Sequence, residues 1–129
     1  MTENTKRIGD LGEKLSAKYL KKHGYRIISR NSHYSHNELD IIAVDKHFIV
    51  FVEVKTRSVG NDLYSHFGSA ASAVDHQKQT RTISAARSFL ASSKYSNKQP
   101  RFDVIEVYLS KDDLKLLKIN HIENAFGIR

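Results

Sequence analysis

The chain has 129 residues, 40% of them hydrophobic, which fits one domain over 1–129 with a real core and excludes a disordered polymer. It has no cysteine, so disulfides and thiolate metal centres are excluded and a reducing cytoplasm is the expected setting; no apolar run approaches a membrane span, and MTENTKRIGD lacks the apolar middle of a signal peptide. Lys and Arg total 21 against 14 Asp and Glu, a net +7, and His76 to Phe102 holds six of these cations (Lys78, Arg81, Arg87, Lys94, Lys98 and Arg101) and no acid, which suits a polyanionic partner or, equally on charge alone, a solvated surface.

In chain order, Ile8, Leu11, Leu15 and Tyr19 recur at helical spacing and Gly24 looks like a stop, so a helix is expected over Ile8–His23. YRIISR reads as a short strand and NSHYSHN as a polar loop. Two strands follow, about Leu39–Val44 and Phe48–Thr56. RSVGNDLYSHFGS reads as a long polar loop, and a second helix is expected over Ala73–Ser92, with Pro100 ending the loop after it. RFDVIEVYL and LKLLKINHI read as two last strands around SKDD. The order αβββαββ contains a strand–helix–strand crossover, which implies a parallel pair and an α/β class with a mixed sheet.

The hairpin in ELDIIAVDKHFIVFVEVKTR is apolar on both faces, as in a covered sheet, yet charged at its open end. With Lys46 and His47 as a two-residue turn, partners sum to 93: Asp40 lies opposite Glu53, and Glu38 opposite Lys55. All four would project from one face, continued by Ile42, Val44, Ile49 and Phe51, while Leu39, Ile41, Val50, Val52 and Val54 line the other. Opposed carboxylates repel unless a proton or a cation lies between them. Mg²⁺ takes one or two carboxylates, keeps waters and accepts phosphate oxygens. Lys55, two residues beyond Glu53, is placed to act on water or to neutralise charge on a phosphate. The plain alternative is a strand-end cluster in which Lys55 pairs with Glu38 or Glu53.

Two helical charges also sit in inward stripes. Glu13 heads Glu13–Ala17–Leu20, beside Gly12 and Ser16, small enough to let the helix approach the sheet. Lys78 heads Lys78–Thr82–Ala85–Phe89. A charge in such a stripe is costly unless paired, so both are read as pointing at the hairpin cluster, the alternative being that each reaches water at a helix start.

RIGDLGEKLSAKYLKKHGYRIISRN, HNELDIIAVDKHFIVFVEVKTRS, FGSAASAVDHQKQTRTISAARSFL and RFDVIEV together resemble the YraN-type family of small bacterial proteins. That family is similar to the PD-(D/E)XK, restriction-endonuclease-like superfamily and to the archaeal Holliday-junction resolvases. The resemblance implies an αβββαβ core, a mixed sheet flanked by helices, and Mg²⁺-dependent (or Mn²⁺-dependent) hydrolysis of a DNA phosphodiester. By position, Asp40 and Glu53 would hold metal, Lys55 would be the catalytic lysine, Glu13 the helical glutamate and Lys78 the basic residue of the second core helix. The family's Gly-Glu-Ile-Asp is here Asn37-Glu38-Leu39-Asp40, and Asn tolerates left-handed backbone.

The expected function is a metal-dependent endonuclease on branched or structured DNA, with Glu13, Asp40, Glu53 and Lys55 catalytic and metal on Asp40, Glu53 and the Val54 carbonyl. Arg57, Lys78, Arg81, Lys94 and Lys98 would contact the nucleic acid, and a two-fold dimer would suit symmetric cutting of a junction. One rival is a DNA-binding module with this fold and no chemistry of its own; another is a protein-interaction domain, which leaves the basic tract without a role. His33-x-x-His36 in a polar loop reads as solvent-exposed, and loop tyrosines Tyr34 and Tyr64 as surface residues able to stack on bases.

Overall fold

The computed structural model describes residues 3–34, 36–60 and 74–127. Along them run α1 (Glu3–Lys22), β1 (Arg26–Tyr34), β2 (Asn37–Val44), β3 (Phe48–Val59), α2 (His76–Ala91), β4 (Gln99–Ser110) and β5 (Leu116–Phe126). The strands lie in chain order in one mixed sheet, antiparallel except for the parallel pair β3–β4. This is the expected α/β class: a parallel pair needs a crossover, and α2 supplies it. No helix among the described residues is long and apolar enough to cross a membrane.

Each sheet face is covered. On one, Ala17 and Leu20 of α1 pack on Ile41, Ala43, Val50, Val52, Ile105 and Val107. On the other, Ala85, Ala86 and Phe89 of α2 pack on Ile42, Val44, Ile49, Phe51, Phe102 and Val104. The β2–β3 register is Val44–Ile49, Ala43–Val50, Ile42–Phe51 and Ile41–Val52, so partners sum to 93 as the two-residue turn requires. The turn closes through the Asp45 N–H on the Phe48 carbonyl (3.1 Å), and the Asp45 carboxylate accepts from the N–H groups of His47 (2.9 Å) and Phe48 (2.8 Å). Asp45 thus does the work that Asn-Gly does in other hairpins.

Several boundaries differ from the expected ones. α1 begins at Glu3 rather than Ile8, because its polar first turn carries no apolar period. NSHYSHN is largely strand: β1 runs to Tyr34 and β2 starts at Asn37. An edge strand presents alternate residues to solvent, so a polar sequence suits it. α2 starts at His76, where the Asp75 side chain caps the Lys78 N–H at 2.7 Å; Ala73 lies outside the described residues, as do 61–69 of the expected loop, including Tyr64. Pro100 lies within β4, ahead of the first β4–β5 pair, where no second neighbour needs its missing N–H. The left-handed residue ahead of β2 is His36 (φ 65°), not Asn37. Leu39 packs on the α2 side rather than with Ile41, next to a point where Asn31 of the facing strand turns left-handed (φ 52°).

At Gly12, α1 lies close on the sheet. A Cβ there would stand 1.8 Å from Thr56 Oγ1 and 2.8 Å from Thr56 Cβ, so the helix seats on β3 only because that position is bare. Gly12→Ala is expected to destabilise the fold by about 1–3 kcal/mol, despite alanine's better helix propensity. A chemical denaturation midpoint unchanged from the parent would contradict this packing.

Candidate active site

The β2–β3 ladder ends at Ile41–Val52, and Asp40 takes over at the open end. Its carboxylate accepts from the Val54 N–H at 2.9 Å, so a side chain replaces the next backbone acceptor. This fixes the Asp40 head group between the two strands, where it meets Glu53. The two carboxylates meet as expected, but the strand pairing stops at Ile41–Val52, so neither Asp40–Glu53 nor Glu38–Lys55 is a ladder pair.

Glu53 is only 6% exposed. Its Oε1 lies 3.7 Å from Lys55 Nζ and 3.6 Å from Lys78 Nζ, so one lysine reaches it along β3 and the other from the first turn of α2. Burial, together with the Asp40 charge, pushes the Glu53 carboxyl up from 4.5 to about 7, against the opposing pull of Lys78 and Lys55. Asp40 is also raised, by burial first, with the Val54 N–H and Lys78 acting the other way. The Asp40 charge thus favours a proton on Glu53.

Glu13 approaches from α1 and is 5% exposed. Its Oε1 accepts from Arg30 Nε of β1 at 3.1 Å. Burial raises its pKa, the Arg30 hydrogen bond and charge pull it down, and the Asp40 charge adds to the rise. Glu13, Asp40, Val54 and Lys55 line one groove of about 570 Å³, with Glu38 and Asp10 at its edge. The geometry thus assembles two facing carboxylates, a third close enough to feel the Asp40 charge, and two ammonium groups. Such a donor set suits a hard divalent cation that retains much of its water. Among the described residues, no group of three or more His, Asp or Glu converges as a self-sufficient metal cage.

The profile of uncharacterised protein family UPF0102 matches residues 12–107. The chain belongs to this family. It is 48% identical over 123 residues to the UPF0102 protein of Caldanaerobacter subterraneus, covering 95% of this chain and 97% of that one. It is 41% identical over 128 residues to a UPF0102 protein of Clostridium perfringens, covering 99% and 100%. UPF0102 is the YraN-type, restriction-endonuclease-like group to which the sequence motifs pointed, and the matched span runs from Gly12 through every residue of the cluster above.

Other expected contacts of this UPF0102 chain fall in two places. Arg57 lies on β3 beyond Lys55, with its Nε on Glu106 Oε2 at 2.8 Å, and Arg81 is exposed on α2. Lys94 and Lys98 lie beyond the opposite end of α2, which is roughly 20 Å along the helix axis from Lys78. Lys98 Nζ donates to the carbonyls of Asp45 (2.8 Å) and Lys46 (3.3 Å), clamping the hairpin turn, and Lys94 stands over the Tyr95 ring at 5.5 Å. The structure does not bring these two lysines to the carboxylate cluster. Tyr34 lies at the end of β1 rather than in a loop, half-buried against the core and edge-on to Phe89 with centroids 5.4 Å apart. His33 and His36 are exposed, as expected.

Arg101 also leaves the basic surface. It is 8% exposed, and its Nε and Nη2 grip the two Asp103 oxygens at 2.9 and 2.8 Å, while Nη2 also donates to Tyr25 Oη at 2.6 Å. Asp103 further binds His121 Nε2 (2.7 Å) and the Asn124 N–H (2.9 Å). Burial would raise the Asp103 pKa, but His121, Arg101 and the Asn124 N–H hold it below the usual carboxylate range. This network ties the residues just after α1 to β4 and β5. A spacing search could not find it, because its members come from three separate stretches of chain.

Proposed function

We propose that this UPF0102 chain is a metal-dependent endonuclease that hydrolyses DNA phosphodiester bonds, with branched or structured DNA as its substrate class. The observation that carries this reading is the pair Asp40–Glu53, pressed together beside the groove that Asp40 and Lys55 line, with Lys55 and Lys78 on the same Glu53 oxygen. Two carboxylates pressed together at a largely buried strand end are costly unless a proton or a cation sits between them. Asp40, Glu53 and the Val54 carbonyl would hold Mg²⁺ or Mn²⁺. Such an ion, when bound, supplies Lewis-acid polarisation of a phosphate oxygen and a more acidic water.

The chain's own residues divide the remaining tasks. The Val54 N–H fixes the Asp40 carboxylate in one orientation. Lys55 neutralises charge that develops on the phosphate and orients the attacking water. Lys78, close to a phosphate approaching over Glu53, binds it from the α2 side. Glu13, held by Arg30, accepts a hydrogen bond from water in the groove. Arg57 and Arg81 extend the positive surface along β3 and α2. Binding carried by such cations should weaken steeply with salt.

A second reading is favoured by one feature. Lys55 and Lys78 both lie on Glu53 Oε1, closing the cluster on itself as in a DNA-binding module without chemistry of its own. A panel of four-way junction, flap, nicked, linear and single-stranded DNA, with Mg²⁺ or Mn²⁺, separates the two. Cleavage by the parent chain that is lost in Asp40→Asn supports the nuclease; binding without cleavage of any structure supports the module.

Metal binding tests the cluster without DNA. Calorimetry should find weak Mg²⁺ or Mn²⁺ binding that Asp40→Asn removes, since half of the anionic clamp is gone. Below pH 7, where Glu53 keeps its proton, binding should release about one proton per ion, and affinity should rise with pH towards 7. Equal binding by parent and variant would rule out this site.

A further inference from the structure

β4 carries a carboxylate that the cluster above does not use. Glu106 is fully buried, at 0% exposed. It stands beside Lys55 in the parallel β3–β4 register, and Tyr108 stands beside Arg57. Phe102 and Val104 face α2, so the two-residue alternation of a strand puts Glu106 and Tyr108 on that same face. Glu106 Oε2 accepts from Arg57 Nε at 2.8 Å, and its other oxygen accepts from the Tyr108 hydroxyl. Burial and the Glu106 charge raise the Tyr108 pKa, which keeps that hydroxyl a donor. The Arg57 side chain is 34% exposed, close to Lys55 at 32% and Lys78 at 36%.

A buried carboxylate is an expensive partner for one partly exposed arginine. It does something a solvated ion pair does not: it fixes a guanidinium by its Nε edge, from a side that does not move. A free arginine gives up side-chain freedom when it is held, and Arg57 is held already. Guanidinium donors also suit phosphate oxygens in a planar, two-point contact. Lys55 and Arg57 alternate on one face of β3, about 7 Å apart along the strand.

We propose that Arg57 is a pre-positioned clamp for the phosphate next to the one at Lys55, and that Glu106 and Tyr108 are the residues that position it. This rests on the nucleic-acid reading above and deepens it: the bound strand would run along β3, with consecutive phosphates on Lys55 and Arg57.

The sign of one substitution separates this from simple electrostatics. Glu106→Gln removes a negative charge from a protein that binds a polyanion, so charge alone makes it bind tighter. Positioning makes it bind more weakly, because the guanidinium is released. The measurement is fluorescence anisotropy with a labelled DNA four-way junction in EDTA over a salt series, with thermal unfolding to confirm that each variant is folded. Arg57→Gln should lower affinity about 5–10-fold and reduce the salt slope by about one. Glu106→Gln should lower affinity about 3-fold in the parent and leave it unchanged or raised in the Arg57→Gln background. Tyr108→Phe, which alters no charge and little volume, should act like a weaker Glu106→Gln. Tighter binding by Glu106→Gln, or an equal loss with and without Arg57, overturns the clamp while leaving nucleic-acid binding intact. A parent chain that binds no DNA overturns the underlying reading and the clamp with it.

Discussion

Lys55→Ala is expected to slow strand cleavage by about 10²–10³-fold, roughly 3–4 kcal/mol of lost transition-state stabilisation, while changing DNA affinity only moderately. The asymmetry comes from where Lys55 sits. Its ammonium lies 3.7 Å from Glu53 Oε1, at the groove that Asp40 and Glu13 also line. On the nuclease reading, a cation held there would meet charge at one phosphate as it forms, whereas Arg81, exposed on α2, would meet the ground-state backbone. Losing the first kind of contact appears in the rate, and losing the second appears in affinity and salt slope. Side effects on the fold should be small, because the Lys55 side chain is 32% exposed and its ion pair is not buried on both sides. Single-turnover cleavage of the preferred DNA structure, with binding measured separately in EDTA, makes the comparison. Cleavage by Lys55→Ala at the parental rate would remove Lys55 from the chemistry, and loss of binding in step with cleavage would make it an ordinary phosphate contact.

The parts of this cluster that are legible in the sequence share one property: they are local. The hairpin register follows from strand periodicity and a two-residue turn, so Asp40 and Glu53 can be brought together on paper. Gly12, Glu13 and Lys78 follow from helical periodicity, and the structure places all three toward the sheet. What is not legible depends on which distant stretches meet. Arg30 answers Glu13 because β1 leaves the sheet edge beside α1, and nothing in YRIISR marks it as a partner. Glu106 and Tyr108 look like ordinary members of an apolar strand until the parallel register sets them against Lys55 and Arg57. Arg101 and Lys98 count as surface cations in any census of charge, yet one is buried on Asp103 and the other holds a turn. Charge counts thus overstate the basic face, and only the fold shows which cations remain near the groove.

Glu53→Gln is expected to make the metal-free protein more stable at pH 8 while removing metal binding. The folded-state pKa of Glu53, about 7, lies above its ordinary 4.5. A group raised in this way contributes stability that is fully present below pH 4.5 and is lost as pH rises through 7. Over that window the loss is on the order of 3 kcal/mol, because ionised Glu53 must share a buried site with the Asp40 charge. Glutamine keeps the shape and can still donate to Asp40, as protonated Glu53 does, but has nothing to ionise. Chemical denaturation without divalent ions should therefore show parent and variant converging near pH 4.5 and diverging towards pH 8, with the variant higher. Adding Mg²⁺ or Mn²⁺ should stabilise the parent, since a ligand that binds only the folded chain shifts the equilibrium towards it. The variant should not respond. A variant no more stable than the parent at pH 8 would mean that the two carboxylates do not strain one another, and the need for a cation between them would go with that strain. The opposite result would put a stability cost at this strand end that the fold itself does not require, which is the mark of a site kept for what it binds.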